Sequence, residues 1–194
     1  MSLPPRAPGY QAWIIAFAFS FATRKSIALP VMLTRITRKN FHPRKTESRK
    51  TYEYRLWNAD FVQPFNRNYT HFIYNELDVE AMQQAAQYLL GEHDFTSFCS
   101  IKTQVPDHVR TIYELSITKK DQLITLRIRG NGFLYNMVRI IAGTLLQVGM
   151  HRIKPEEVKN ILEAKNREAA GPTAPAKGLM LIGIEYLENI EPEE

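Results

Sequence analysis

The chain has 194 residues, 44% of them apolar and 23% charged, enough for one domain with a real core or two small lobes, and too apolar for global disorder. No apolar run reaches the ~18–20 residues that span a bilayer, so no membrane role is expected, and the single cysteine, Cys99, excludes an internal disulfide framework and any multi-cysteine metal site. The net charge of +5 hides an asymmetry: residues 1–50 carry ten Lys/Arg and one acid, Glu47, whereas the remainder carries fifteen and nineteen. A basic block before a mildly acidic body suits a polyanion, most simply nucleic acid, as well as it suits a merely solvated tail.

Residues 1–40 form a basic leader with no acid and four prolines (Pro4, Pro5, Pro8, Pro30). Its apolar stretch, Ala12 to Ala22, has the length of a signal-peptide core, but Arg24 and Lys25 follow it directly and no small-x-small cleavage site is evident. A strand fragment or an ill-formed leader fits better, and with no feature demanding an oxidising compartment the expected location is cytoplasmic.

From Phe41 onward the signals agree. Thr51 to Asn58 alternates and is rich in aromatics, which predicts a strand. Asp78 is placed to N-cap a helix over Val79 to Leu90, closed by Gly91. His108 to Thr118 and Leu123 to Arg129 read as a hairpin around Lys119 to Gln122. Phe133 to Val148 is a strongly apolar helix ended by Gly149, and Lys154 to Asn166 is an amphipathic one with Pro155, Glu156 and Glu157 in its first turn. A proline-bearing loop, Ala169 to Lys177, leads to a last strand, Leu179 to Leu187, and Glu191 to Glu194 form an acidic tail. The order β-α-β-β-α-α-β predicts an α+β fold, a mostly antiparallel sheet with helices on one face.

Metal and nucleophile motifs are sparse. His93 and Cys99 lack a second ligand pair for zinc, and the zinc-deaminase, nucleophile-elbow, phosphate-loop and dinucleotide signatures are absent. Cys99 reads as a small core residue. Arg139 is more informative, because Val138, Ile140 and Ile141 surround it and a guanidinium in apolar company requires an oxygen partner. An exposed helical stripe is the alternative, but the positions three and four away (Tyr135, Asn136, Ala142, Gly143) are uncharged, which favours a partly buried, partnered arginine. A second constellation sets Arg35, Arg38, Lys39, His42, Arg44, Lys45, Arg49 and Lys50 just before Tyr52, Tyr54 and Trp57. Cations neutralise phosphates and aromatic faces stack unpaired bases; the same residues also suit a solvated surface over core tyrosines. Tyr52 and Tyr54, two apart, share one strand face.

Five stretches in order resemble the bacterial tRNA pseudouridine synthase A family: Phe41 to Lys45, Ser48 to Arg55, Leu89 to Phe98, Arg129 to Leu145 and Ala170 to Leu179. The resemblance covers residues 41–187, and the pseudouridine synthase-like domain is expected over 41–190. It implies isomerisation of uridine to pseudouridine in the tRNA anticodon stem-loop, without cofactor or metal, by a homodimer carrying a basic, tRNA-sized groove. By motif match it makes Arg139 the partner of a nucleophilic aspartate and Tyr52 the residue that stacks on the base, with Leu181 a candidate for packing against it. Arg44, Lys45, Arg49 and Lys50 of the basic cluster are expected to be the RNA-binding residues.

The resemblance stops short of the nucleophile. The family aspartate lies in an Arg-Thr-Asp-x-Gly-Val-His context upstream of the Phe41 segment, whereas Asp60, Asp78, Asp94, Asp107 and Asp121 all follow it and lack that context. No catalytic residue is therefore identifiable, and the chain is expected to be inactive alone. Residues 1–40 match no part of the family's N-terminal half and are expected to reflect a truncated or frame-shifted start, a separate half acting in trans being the alternative. Arg139, without its carboxylate, is expected to face solvent or borrow another acid. Two other readings remain: a non-catalytic RNA-binding module, and a dimerising scaffold fragment with no RNA role.

Overall fold

Alternation of large apolar with polar residues builds the sheet. The computed structural model describes residues 42, 46–103 and 105–187. They form β1 (Ser48–Asn58), β2 (His71–Ile73), α1 (Val79–Gln87), β3 (Gly91–Asp94), β4 (Val109–Lys120), β5 (Leu123–Gly130), α2 (Met137–Gly149), α3 (Glu157–Glu163) and β6 (Leu179–Tyr186), with three short 3-10 turns. The sheet runs β2-β1-β5-β4-β3, and β6 also pairs with β1. β1–β5, β4–β5 and β3–β4 are antiparallel, whereas β1–β2 is parallel. The arrangement is the α+β one expected, as a mixed six-stranded sheet with three helices.

Register puts the apolar positions on one face. Tyr54 lies opposite Leu126, Leu56 opposite Ile124 and Tyr52 opposite Ile128, while Leu115 and Ile117 continue the rows into β4. Tyr54, Leu56, Ile124, Leu126 and Ile128 are all buried, and the intervening Thr51, Glu53, Arg55, Arg127 and Arg129 occupy the opposite face. α1 and α2 cover the apolar face: Gln83 donates from Nε2 to the Ile117 carbonyl (2.7 Å), and Gly149 lets Met82 approach so closely that a Cβ there would lie 2.7 Å from its sulfur. Asp78 caps α1 through the Ala81 N–H (2.9 Å), and its own N–H donates to the Gly149 carbonyl (2.9 Å). Cys99 is buried in this core, as its sequence context suggests.

Several elements and boundaries differ from expectation. Gly91 does not close α1 as a cap; with φ +95° it opens β3, a strand that sequence reasoning missed. β2, three residues long, was missed too. The hairpin strands extend to Lys120, leaving Asp121 and Gln122 as the turn, with Asp121 at φ 54°. α2 begins at Met137 instead of Phe133 because Asn136 adopts a left-handed backbone, and α3 is shorter than expected, its entry fixed by the Lys154 N–H donating to Glu157 (2.8 Å).

Ser48–Glu185 forms one compact unit. The other comprises residues 1–47 and 186–194, where the described part includes hydrogen bonds from the Leu187 N–H to the Glu47 carbonyl (3.1 Å) and from the Thr46 N–H to the His42 carbonyl (2.9 Å). The leader, Arg44, Lys45 and the acidic tail lie outside the described residues. No helix among those described is long and apolar enough to cross a membrane.

Candidate functional site

Tyr52 and Tyr54 place the site on the helix-covered face of β1. The Tyr52 ring meets Phe133 edge-on at 5.3 Å. Phe133 reaches that position because residue 130 is glycine: a Cβ there would stand 3.1 Å from the Phe133 ring and 2.7 Å from the Thr111 carbonyl oxygen. Burial pushes the Tyr52 phenol pKa up, so the ring presents a neutral, largely apolar surface.

Tyr54 is wholly buried, and its hydroxyl donates to the Pro175 carbonyl at 2.7 Å. Burial raises its pKa strongly, and the Arg139 charge opposes that rise, which brings the guanidinium into the electrostatic reach of this strand. The Tyr54 ring also faces His71 edge-on at 6.3 Å. The His71 Nδ1 is buried without a hydrogen-bond partner among the described residues, and burial and the Lys177 charge push that pKa down.

Arg139 is half-buried in the first turn of α2, as the partnered reading expects. Its Nε donates to the Ala174 carbonyl (2.6 Å) and its Nη1 to Asn136 Oδ1 (3.1 Å). Among the described residues no carboxylate forms an ion pair with it. The arginine thus neither opens fully to solvent nor borrows an acid, contrary to the sequence-based expectation. Two neutral oxygens hold it and leave its charge uncompensated.

The remaining sequence candidates are more dispersed. Lys50, opposite Gly130, is half-buried, and burial lowers its pKa. Arg49 points to the other face, where its guanidinium lies 5.0 Å from the Tyr113 ring centre. Leu181 is half-buried in β6; Leu179, two residues earlier, packs against the core cluster together with Tyr52 and Phe133, and Leu181 is not part of that packing. Asp94 is committed elsewhere: it accepts from the Thr96 N–H and hydroxyl (3.0 and 2.6 Å), pairs with Lys165 (2.9 Å), and has its pKa lowered to about 2. β3 stands three strands from β1, roughly 14 Å at ordinary strand spacing. No group of three or more His, Cys, Asp or Glu side chains among the described residues could hold a metal ion.

Sequence reasoning offered Tyr54 only as one of three aromatics able to stack a base, and assigned no role to Asn136, Ala174 or Leu179. Tyr54 had a signal, since alternation sets it beside Tyr52; Ala174 had none, because its contribution is a backbone carbonyl.

The family model for tRNA pseudouridine synthase matches residues 85–187, the stretch that runs from the end of α1 through β6 and includes Arg139. The chain belongs to that family. It is similar to the tRNA pseudouridine synthase A of Bacillus subtilis (strain 168), 49% identical over 158 residues, which are 81% of this chain and 64% of the relative. The proteins of that name from Brevibacillus brevis (52% identical over 147 residues, 76% and 60% covered) and Halalkalibacterium halodurans (51% over 141 residues, 73% and 54%) are comparably similar. The chain spans less than two thirds of the length of these relatives.

Proposed function

We propose that this chain provides the uridine-binding side of a tRNA pseudouridine synthase A-like enzyme acting on the anticodon stem-loop, and that alone it does not complete the isomerisation. Arg139 carries this reading. Its guanidinium is held by the Ala174 carbonyl and Asn136 Oδ1, with no paired acid among the described residues. An arginine oriented at a structural cost yet left charged is prepared for an anion that arrives from elsewhere. In the family that anion is the nucleophilic aspartate, whose sequence context this chain lacks.

Tyr52 supplies the face on which a flipped uracil stacks, supported by Phe133 behind it. Leu179 and Leu181 begin the strand beside β1, and Leu179 shares the Tyr52 cluster. Arg49 and Lys50, with Arg44 and Lys45 of the preceding segment, contribute positive charge for the phosphate backbone. Neither cofactor nor metal is required by this reading. The partners it implies are tRNA, a second copy of the chain as in the family's homodimer, and a separate N-terminal half that supplies the carboxylate.

The deciding experiment is pseudouridine formation on an unmodified anticodon stem-loop, with the chain alone and after adding an N-terminal half from a family member. No product alone and product on mixing, abolished by Arg139→Ala or Tyr52→Ala, is the expected result. Product from the chain alone would show that it contains a nucleophile and overturn the proposed division of labour.

A further inference from the structure

The oxygens that hold Arg139 are themselves held. Ala174, whose carbonyl accepts from Nε, also donates its N–H to the Arg139 carbonyl at 3.1 Å. The Pro175 carbonyl is fixed by the Tyr54 hydroxyl, and a Cβ on Gly178 would lie 2.8 Å from the Tyr54 ring. Upstream, the Gly171 N–H donates to Thr144 Oγ1 at 3.0 Å, and Gly143 permits the Pro172 carbonyl to touch α2. Residues 170–178 therefore form a strap fastened to α2 at one end and to β1 at the other, and its middle carries the acceptor for Arg139.

The second acceptor is fixed differently. Asn136 stands at φ 61°, a left-handed conformation that asparagine tolerates better than most residues, immediately before the first turn of α2. From there its Oδ1 reaches Nη1 of Arg139. A free arginine head samples many rotamers, so two fixed acceptors remove freedom that a binding event would otherwise have to remove. Because both acceptors are neutral, they orient the guanidinium without cancelling its charge. Nε and Nη1 are engaged, and Nη2 has no hydrogen bond among the described residues.

We propose that Tyr54 and Asn136 are positioning residues for Arg139: Tyr54 fixes the strap that carries the Ala174 carbonyl, Asn136 supplies the other acceptor, and together they present the Nη2 end of a fully charged guanidinium to an incoming carboxylate. The identity of that anion rests on the function proposed above; the clamp rests on the hydrogen bonds alone.

The test is hydrogen exchange at the Arg139 Nε–H, followed by NMR in the full 15N-labelled chain and assigned by its disappearance in Arg139→Lys. Tyr54→Phe keeps the ring against Gly178 and removes only the hydroxyl, and Asn136→Gly keeps the left-handed backbone and removes only the acceptor. Both should accelerate exchange at Nε–H about tenfold, the factor that one net hydrogen bond is worth. The backbone amide of Ile140, which donates to the Asn136 carbonyl (3.0 Å), should stay as protected as in the parent chain. Unchanged Nε–H exchange in both variants overturns the proposal, and so does loss of Ile140 protection in step with it, which would signify general loosening of α2. Should Tyr54→Phe not fold, Asn136→Gly decides alone. A failed pseudouridine assay would leave the exchange result standing, whereas unchanged exchange would remove the clamp and leave the family reading intact.

Discussion

A Cβ atom placed on Gly143 would sit 1.7 Å from the carbonyl oxygen of Pro172. The strap that carries the Arg139 acceptor is thus seated on bare backbone of α2, and no side chain of any size fits between them. Gly143→Ala should force the strap off the helix and destabilise the protein by on the order of 3 kcal/mol. Urea denaturation measures this directly; a midpoint equal to that of the parent chain would mean that the strap is not seated there.

One helical position further on, Thr144 is wholly buried; its hydroxyl donates to the Ile140 carbonyl and accepts from the Gly171 N–H. Thr144→Val keeps the shape but leaves that buried N–H without an acceptor, so a loss of about 1–3 kcal/mol is expected. Thr144→Ser, which retains the hydroxyl, should recover most of the hydrogen-bond contribution and lose only a methyl group.

Acid titration should report on Asp94. Its folded pKa of about 2 lies below the ordinary 3.8, held down by the Thr96 hydroxyl and then by Lys165. A depressed carboxyl pKa stabilises the fold above the unfolded value and loses that contribution as pH falls through the folded one. Asp94→Asn should therefore lower the melting temperature at pH values above about 4, and the two proteins should converge as pH approaches about 2. A constant offset between them across the whole range would contradict this assignment.

On the proposed reading, Lys50 contacts RNA phosphate beside Tyr52. Lys50→Gln should weaken binding of anticodon stem-loops of any sequence and reduce the slope of log K against log salt by about 0.7–0.9, the increment for one neutralised phosphate. Filter binding at several salt concentrations provides the measurement. An unchanged slope would place Lys50 outside the RNA contact.

Much of the scaffold was legible because its elements are long and periodic. β1, the β4–β5 hairpin and α2 each bury one complete apolar face, and Tyr54, Leu126 and Ile140 announce that face in the sequence. β2 and β3 were not legible, since three or four residues carry no usable period, and His71–Ile73 takes its strand form from pairing with Leu56–Asn58. Gly91 illustrates a second limit: a glycine after a helical pattern reads equally as a cap or as the positive-φ start of the next strand. Within the site, Arg139 stood out as a charge in an apolar run. Its acceptors did not, because the Ala174 carbonyl and the left-handed turn at Asn136 are properties of backbone brought together from distant sequence.

That distance sets an order of assembly. The bond from Tyr54 to Pro175 closes 121 positions of chain, and β6, which flanks β1, comes after the other described strands in chain order. Contacts of such separation bear the loop-closure entropy of everything between them and form late. On the ribosome, the hairpin and the α1–α2 pair can pack while the strap is still unmade. The Ala174 carbonyl that holds Arg139 Nε is therefore expected to reach it only after residues 170–178 have been made and seated against α2.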